Sequence, residues 1–222
     1  MRRVLRAAAD RRGSVALEFA LLTPVLVTIV LSLTDVTGAV INWWRLSAAA
    51  GTIARIATTY AATPSNSNVL TMTQATTAST AVFAVMPALA TAPASGYGVA
   101  ISSVVMTPTV AGCTSACTYV ATTAWSAALQ GTARTRPCGR LDAVPDGQPA
   151  SLTALPLDAF TSAPLLVVDV TYDFAPLFTN LFGAGLRFME TAYMAPRTGD
   201  DAAWVRLTGP NAAPAQCPGY TG

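Results

Sequence analysis

The chain has 222 residues, 52% of them hydrophobic and 11% charged, with a formal net charge of +2. It contains no His, which removes Ser–His and Cys–His nucleophile pairs and every His-ligated zinc site. All 13 basic residues are Arg and five fall within the first twelve positions. No basic stripe interleaved with aromatics follows, so neither nucleic acid nor an acidic substrate is expected as a partner.

The N-terminus reads as a membrane address. Arg2, Arg3, Arg6, Arg11 and Arg12 stand against Asp10, and residues 14–33 are then predominantly apolar. At about 1.5 Å per residue, a run of that length matches a hydrocarbon core of roughly 30 Å. The positive-inside rule keeps the arginines cytoplasmic and sends everything after residue 34 to the far side. Three readings compete. A secretory signal peptide cut near Ala48-Ala49-Ala50 has a usual apolar stretch of about 7–15 residues, shorter than this one, and Trp43, Trp44 and Arg45 intervene before the small residues. A plain single-pass anchor leaves Glu18 as an accident near the interface. A pilin-type leader, cut on the cytoplasmic side, retains the helix.

Glu18 favours the third reading, because ionisable residues inside membrane segments are rare and usually partnered. Cleavage after Gly13 makes Ser14 the new N-terminus and places its α-amino group about 6 Å from Glu18 along the helix. In a stack of subunits, the amine of one chain can neutralise the carboxylate of its neighbour and offset the desolvation of both. The stretch Gly13-Ser-Val-Ala-Leu-Glu18-Phe19-Ala20, followed by Pro24, resembles the N-terminal segment of TadE-like and TadG-like proteins. These are pseudopilins or minor pilins of the tight-adherence (Flp) branch of type IV pili. The resemblance implies cleavage after Gly13 by a prepilin peptidase, with Glu18, Phe19 and Pro24 serving processing or assembly.

Helical character continues through "TDVTGAVINWWRLSAAAGTIARIATTYAA", with no Pro before Pro64. A helix from about 14 to 62 is the spine expected of a pilin-like subunit. Pro24 is expected to bend it, Gly38 and Gly51 to weaken it locally. Trp43 and Trp44 suit either the outer membrane interface or packing on the soluble domain. "TPSNSN" at 63–68 reads as a turn. Residues 69–90 read as a second helix ending near Pro87, with Val69, Met72, Val82, Val85 and Met86 as core contacts.

From Tyr97 the texture becomes β. Residues 97–109 and 118–127 flank "AGCTSAC" and read as a hairpin. "LLVVDVTYDF" alternates so regularly that a strand with one buried and one wetter face is expected. "LRFMETAYMAPR" follows as another strand, and the run from Leu165 to Arg197 is similar to the C-terminal hairpin and Met-x-x-Arg tail of the same family. Residues 134–164, with five prolines, and the tail after Thr208 read as surface loops.

Asp169 and Asp173 are read as part of a solvated sheet face, since no His and no third ligand accompanies them to make a catalytic or metal site. Asp142 and Asp146 lack the calcium-loop ligand pattern. Cys113, Cys117, Cys138 and Cys217 lie beyond the membrane run, in a compartment where disulfides are expected. Three connectivities are open; Cys113–Cys117 across the hairpin end with Cys138–Cys217 is preferred. The Cys spacing lacks a paired zinc signature, so no metal and no cofactor is expected.

The expected architecture is α+β. A leader occupies residues 1–13, and a long pilin-like helix covers 14–62, membrane-spanning over about 14–34. A head with a small antiparallel sheet covers 63–222. The expected role is non-enzymatic: a minor pilin or pseudopilin in the bacterial inner membrane, its head periplasmic or carried to the cell surface. Its expected partners are other pilin-like subunits, the assembly machinery and the prepilin peptidase, with no small-molecule substrate. The alternative is a membrane-anchored periplasmic binding or adhesion module that is not built into a pilus.

Overall fold

The computed structural model describes residues 11–62, 68–149, 151–178, 185–196 and 204–220, with side chains in the N-terminal helix from residue 16 onward. The leader residues Arg2, Arg3 and Arg6, most of the turn at 63–68, and Arg197 at the end of the family-like tail lie outside them. The chain is α+β. Helix α1 runs over Arg11–Ala61 and continues through Pro24. The chain falls into two compact units, and α1 contributes to both.

The first unit holds α1 as far as Ile41, together with Ala175–Gly185. Residues 16–34 of the helix carry no buried side chain. Every hydroxyl along this stretch donates to the carbonyl four residues back in its own helix. Thr23 reaches Phe19 at 2.7 Å, Thr28 reaches Pro24 at 2.8 Å, Ser32 reaches Thr28 at 2.7 Å and Thr34 reaches Val30 at 2.9 Å. Back-bonding of this kind leaves the surface of the helix without an unsatisfied donor.

The second unit begins at Asn42 and holds the rest of α1 and the sheets. From residue 46 the helix buries Leu46, Ala49, Ala50, Ile53, Ala54, Ala57, Thr58 and Ala61. That is the i, i+3, i+4, i+7 stripe of a helix with one face on a core. Five of the eight are Ala, so the backbone can approach the strands closely while Leu46 and Ile53 fill the gaps. Each of those two, fully buried, contributes about 1.5–3 kcal/mol.

Six strands form the main sheet in the order β5-β4-β3-β2-β6-β7. They are β2 (Tyr97–Pro108), β3 (Tyr119–Gly131), β4 (Gly139–Val144), β5 (Ala154–Pro156), β6 (Leu165–Phe174) and β7 (Leu186–Met194). All neighbours are antiparallel except β4 and β5. A two-stranded parallel pair joins β1 (Val69–Thr71) to β8 (Arg206–Thr208). The expected hairpin is β2–β3. It carries two register shifts, and the residues left out of its ladder are Ala124 and Leu129 of β3. At its far end Gly131 sits at φ +58, where an added Cβ would come 2.1 Å from the Tyr97 carbonyl oxygen.

Three sequence expectations change. Residues 69–90 are not one helix but β1, α2 (Met72–Ser79), α3 (Ala81–Val85) and a 3-10 turn at Pro87–Ala90. A capping box causes the restart: Thr71 Oγ1 accepts from the Gln74 N–H at 3.2 Å, and Gln74 Oε1 accepts from the Thr71 N–H at 2.9 Å. Val82 and Met86 are buried as expected, while Met72 and Val85 pack at the rim of the same core.

The second change concerns residues 134–164, which are not a plain surface loop. They form β4, β5 and a 3-10 turn, and bury Leu141, Leu155 and Ala159. With Val104, Met106, Ala121, Leu165 and Val167 these make a second core.

The third follows from the second. β6 has no wetter face over most of its length, because Leu166, Val168 and Val170 meet the α1 core while Leu165 and Val167 meet this second one. The tail after Thr208 is likewise packed. The Cys217 N–H donates to the Ala124 carbonyl at 2.9 Å, so the bulge residue omitted from the ladder receives the tail instead. Nearby, the Trp125 indole N–H donates to the Val205 carbonyl at 2.6 Å.

Candidate functional site on the N-terminal helix

Among the described residues, the longest run of exposed apolar side chains is the N-terminal stretch of α1. Leu17, Phe19, Leu21, Leu22, Val25 and Leu26 are all more than half exposed, and the pattern continues through Leu33. These residues point in every direction around the helix rather than along one stripe. A helix apolar on all sides belongs in a membrane or in a bundle. The span Ala16–Ala61 contains an apolar window of mean hydropathy 2.2, none of it buried, long enough to cross a bilayer.

Gly13 and Ser14 lie in the first turns of α1, in the part whose side chains are outside the described set. Glu18 and Phe19 are exposed on the helix one turn further on. Pro24 supplies no N–H, so the carbonyl of Ala20 lacks its usual helical donor. The four cysteines form two disulfides, Cys113–Cys117 and Cys138–Cys217. Among the described residues no group of three or more His, Cys, Asp or Glu side chains is placed to hold a metal ion.

Three polar features were not legible as sites. Asp35, just past the apolar run, is only 4% exposed. Its two carboxylate oxygens accept the main-chain N–H groups of Leu177 and Phe178, at 2.8 and 3.0 Å. An acid at the end of the apolar run was the available signal, but nothing in the sequence names residues so distant as its partners.

Asp169 is not on a solvated face. It forms a two-pronged ion pair with Arg136, from Nε to Oδ2 and from Nη2 to Oδ1, both at 2.7 Å. Thr191 donates to the same carboxylate at 2.7 Å, and the remaining guanidinium nitrogen donates to the carbonyls of Leu152 and Ala154. Asp173 does remain half exposed, with Arg187 at 3.3 Å.

The third feature is a groove of about 700 Å³ in the second unit, lined by Trp43, β7 and the chain between Val144 and Asp158. The Trp43 indole N–H donates to Glu190. The Tyr193 hydroxyl donates to Asp158 at 2.8 Å, and Asp146 accepts the Asp158 N–H at 3.0 Å. Burial, then the hydrogen bond and charge of Asp158, then the charge of Asp146 push the Tyr193 phenol up to about 12. That phenol is therefore a hydrogen-bond donor at neutral pH and not a base.

Residues 13–55 match the family model described as TadE-like protein. The match covers the exposed apolar stretch, Glu18, Asp35 and the first half of the buried Ala stripe. No curated protein and no solved structure matches the chain.

Proposed function

Starting from a chain whose residues 13–55 are TadE-like, we propose that it works as a minor pilin or pseudopilin of a tight-adherence (Flp) type IV pilus. On this reading α1 anchors it in the bacterial inner membrane and the sheet unit lies in the periplasm or travels with the pilus. The observation that carries the proposal is the exposed, all-round apolar surface of residues 17–33 inside the matched segment. Leaving each such side chain in water forgoes about 1.5–3 kcal/mol of burial. Lipid, or the helices of neighbouring subunits, recovers it. The self-satisfied hydroxyls of Thr23, Thr28, Ser32 and Thr34 suit the same surroundings, since hydrocarbon offers a free donor no partner.

Leader removal after Gly13 by a prepilin peptidase would leave Ser14 as the N-terminus. Its amine, four residues before Glu18, would then face the Glu18 carboxylate of an adjacent subunit. The pairing fixes axial register, as a charge pair in a low-dielectric setting does when both members are satisfied. The chain's work is packing and assembly; it is a substrate of the peptidase and performs no chemistry itself.

Mass spectrometry of the membrane-extracted protein, made with the peptidase present, tests the first step. A Ser14 N-terminus is expected, and an intact N-terminus at Met1 overturns it. Glu18→Ala should insert normally yet assemble poorly; normal piliation in that variant would remove the carboxylate–amine pairing.

A further inference from the structure

Among the described residues β7 is the last strand of the six-stranded sheet, and all nine of its residues pair with β6. In an antiparallel ladder every second residue turns its N–H and C=O away from the neighbour. Among the described residues, no main-chain group outside that ladder hydrogen-bonds to residues 186–194. A long strand edge in this state is a template for another strand.

The groove described above lies along this edge. Arg187, Phe188, Met189, Glu190 and Thr191 line it in unbroken succession. Successive residues of a strand point to opposite faces, so a cavity that meets five in a row is open along the edge and not on one face. One wall is Trp43, bonded to Glu190; the other is the chain carrying Asp146 and Asp158, bonded to Tyr193. Arg187 is already engaged with Asp173. Carboxylates thus dominate the groove, and its one described cation is paired.

We propose that the β7 edge is a strand-acceptor site for an extended segment of a partner protein. The segment hydrogen-bonds its backbone to β7 and alternates apolar with basic side chains. Its apolar residues meet Trp43 and Phe188, and its Lys or Arg residues meet Asp146 and Asp158. Backbone pairing supplies affinity and the two walls supply selectivity, the division of labour of strand addition. The site lies wholly within the sheet unit and stands or falls apart from the role of the apolar helix.

The test uses the full chain in neutral detergent and a capped peptide of alternating Val and Lys, about six residues long, the ordinary length of a strand. Saturable binding is expected, with a change in tryptophan emission that disappears in Trp43→Phe. N-methylating alternate peptide nitrogens should abolish binding for one parity and spare it for the other, because only one set faces β7. Replacing Lys by Glu should weaken binding by about three- to tenfold. The double variant Asp146→Asn, Asp158→Asn should level that difference. No saturable binding, equal tolerance of both methylation patterns, or equal binding of Lys and Glu peptides would each overturn the proposal.

Discussion

Arg136 and Asp169 are joined by two hydrogen bonds of 2.7 Å while both side chains are sealed from solvent. One comes from the chain after β3 and the other from the centre of β6, so the pair ties the 134–164 region to the sheet. Arg136 also fixes its own backbone, since its N–H donates to Ser126 Oγ at 2.8 Å and Ser126 pairs with Ser102 at 2.8 Å. Removing one member strands a buried charge. Asp169→Ala is expected to destabilise the protein by about 3–5 kcal/mol in denaturant unfolding, whereas the double replacement Arg136→Met, Asp169→Leu should lose much less.

Tyr193 should titrate late. Its phenol is pushed up from 10.0 to about 12. A raised folded-state value means the neutral form is the one the fold favours. The associated stability is fully present below pH 10 and is lost as the pH rises through about 12. The phenolate absorbance of the protein, with Tyr193→Phe subtracted, should show this late step. Asp158→Asn should bring it back toward the ordinary tyrosine range.

The two disulfides should contribute unequally. Cys138–Cys217 closes a loop with a sequence separation of 79, and Cys113–Cys117 one with a separation of 4. A cross-link stabilises chiefly by restricting the unfolded chain, more so for longer loops. Cys138→Ser with Cys217→Ser should cost about 2–5 kcal/mol. Cys113→Ser with Cys117→Ser should cost distinctly less, read from denaturant midpoints of the oxidised proteins.

Asp35 should protect two specific amides. With Asp35→Ala, the N–H groups of Leu177 and Phe178 lose their acceptor. Their hydrogen exchange should accelerate by roughly one to two orders of magnitude, in keeping with about 1.5–3 kcal/mol for a hydrogen bond to a charged group. Asp35→Asn keeps one carbonyl oxygen and should restore part of the protection. Unchanged exchange in Asp35→Ala would show that these amides do not depend on the carboxylate.

Local patterns were readable wherever one contiguous stretch holds the whole signal. The apolar run after the arginines, the β2–β3 hairpin and the alternation of β6 all depend on neighbours in sequence. The capping box at Thr71 and Gln74 is equally local, but it restarts a helix inside an Ala- and Thr-rich stretch whose composition looks helical throughout. Region 134–164 misled for a different reason. Its prolines suggest loop, but Pro156 ends the edge strand β5, where a missing N–H costs nothing in the ladder. Asp169 looked solvated because alternation gives the side of a strand and not what covers that side. Arg136 lies 33 positions away and carried no motif.

The sequence by itself determined a long apolar N-terminal helix and its likeness to TadE-like proteins over residues 13–55. That information is composition and short-range spacing, and one contiguous stretch of chain holds all of it. Only the tertiary structure decided which charges are buried, what Asp35 holds, and that β7 ends its sheet beside an acidic groove. Those are long-range pairings. Their energies depend on burial and on partners brought together by the fold, so no stretch of chain contains them alone.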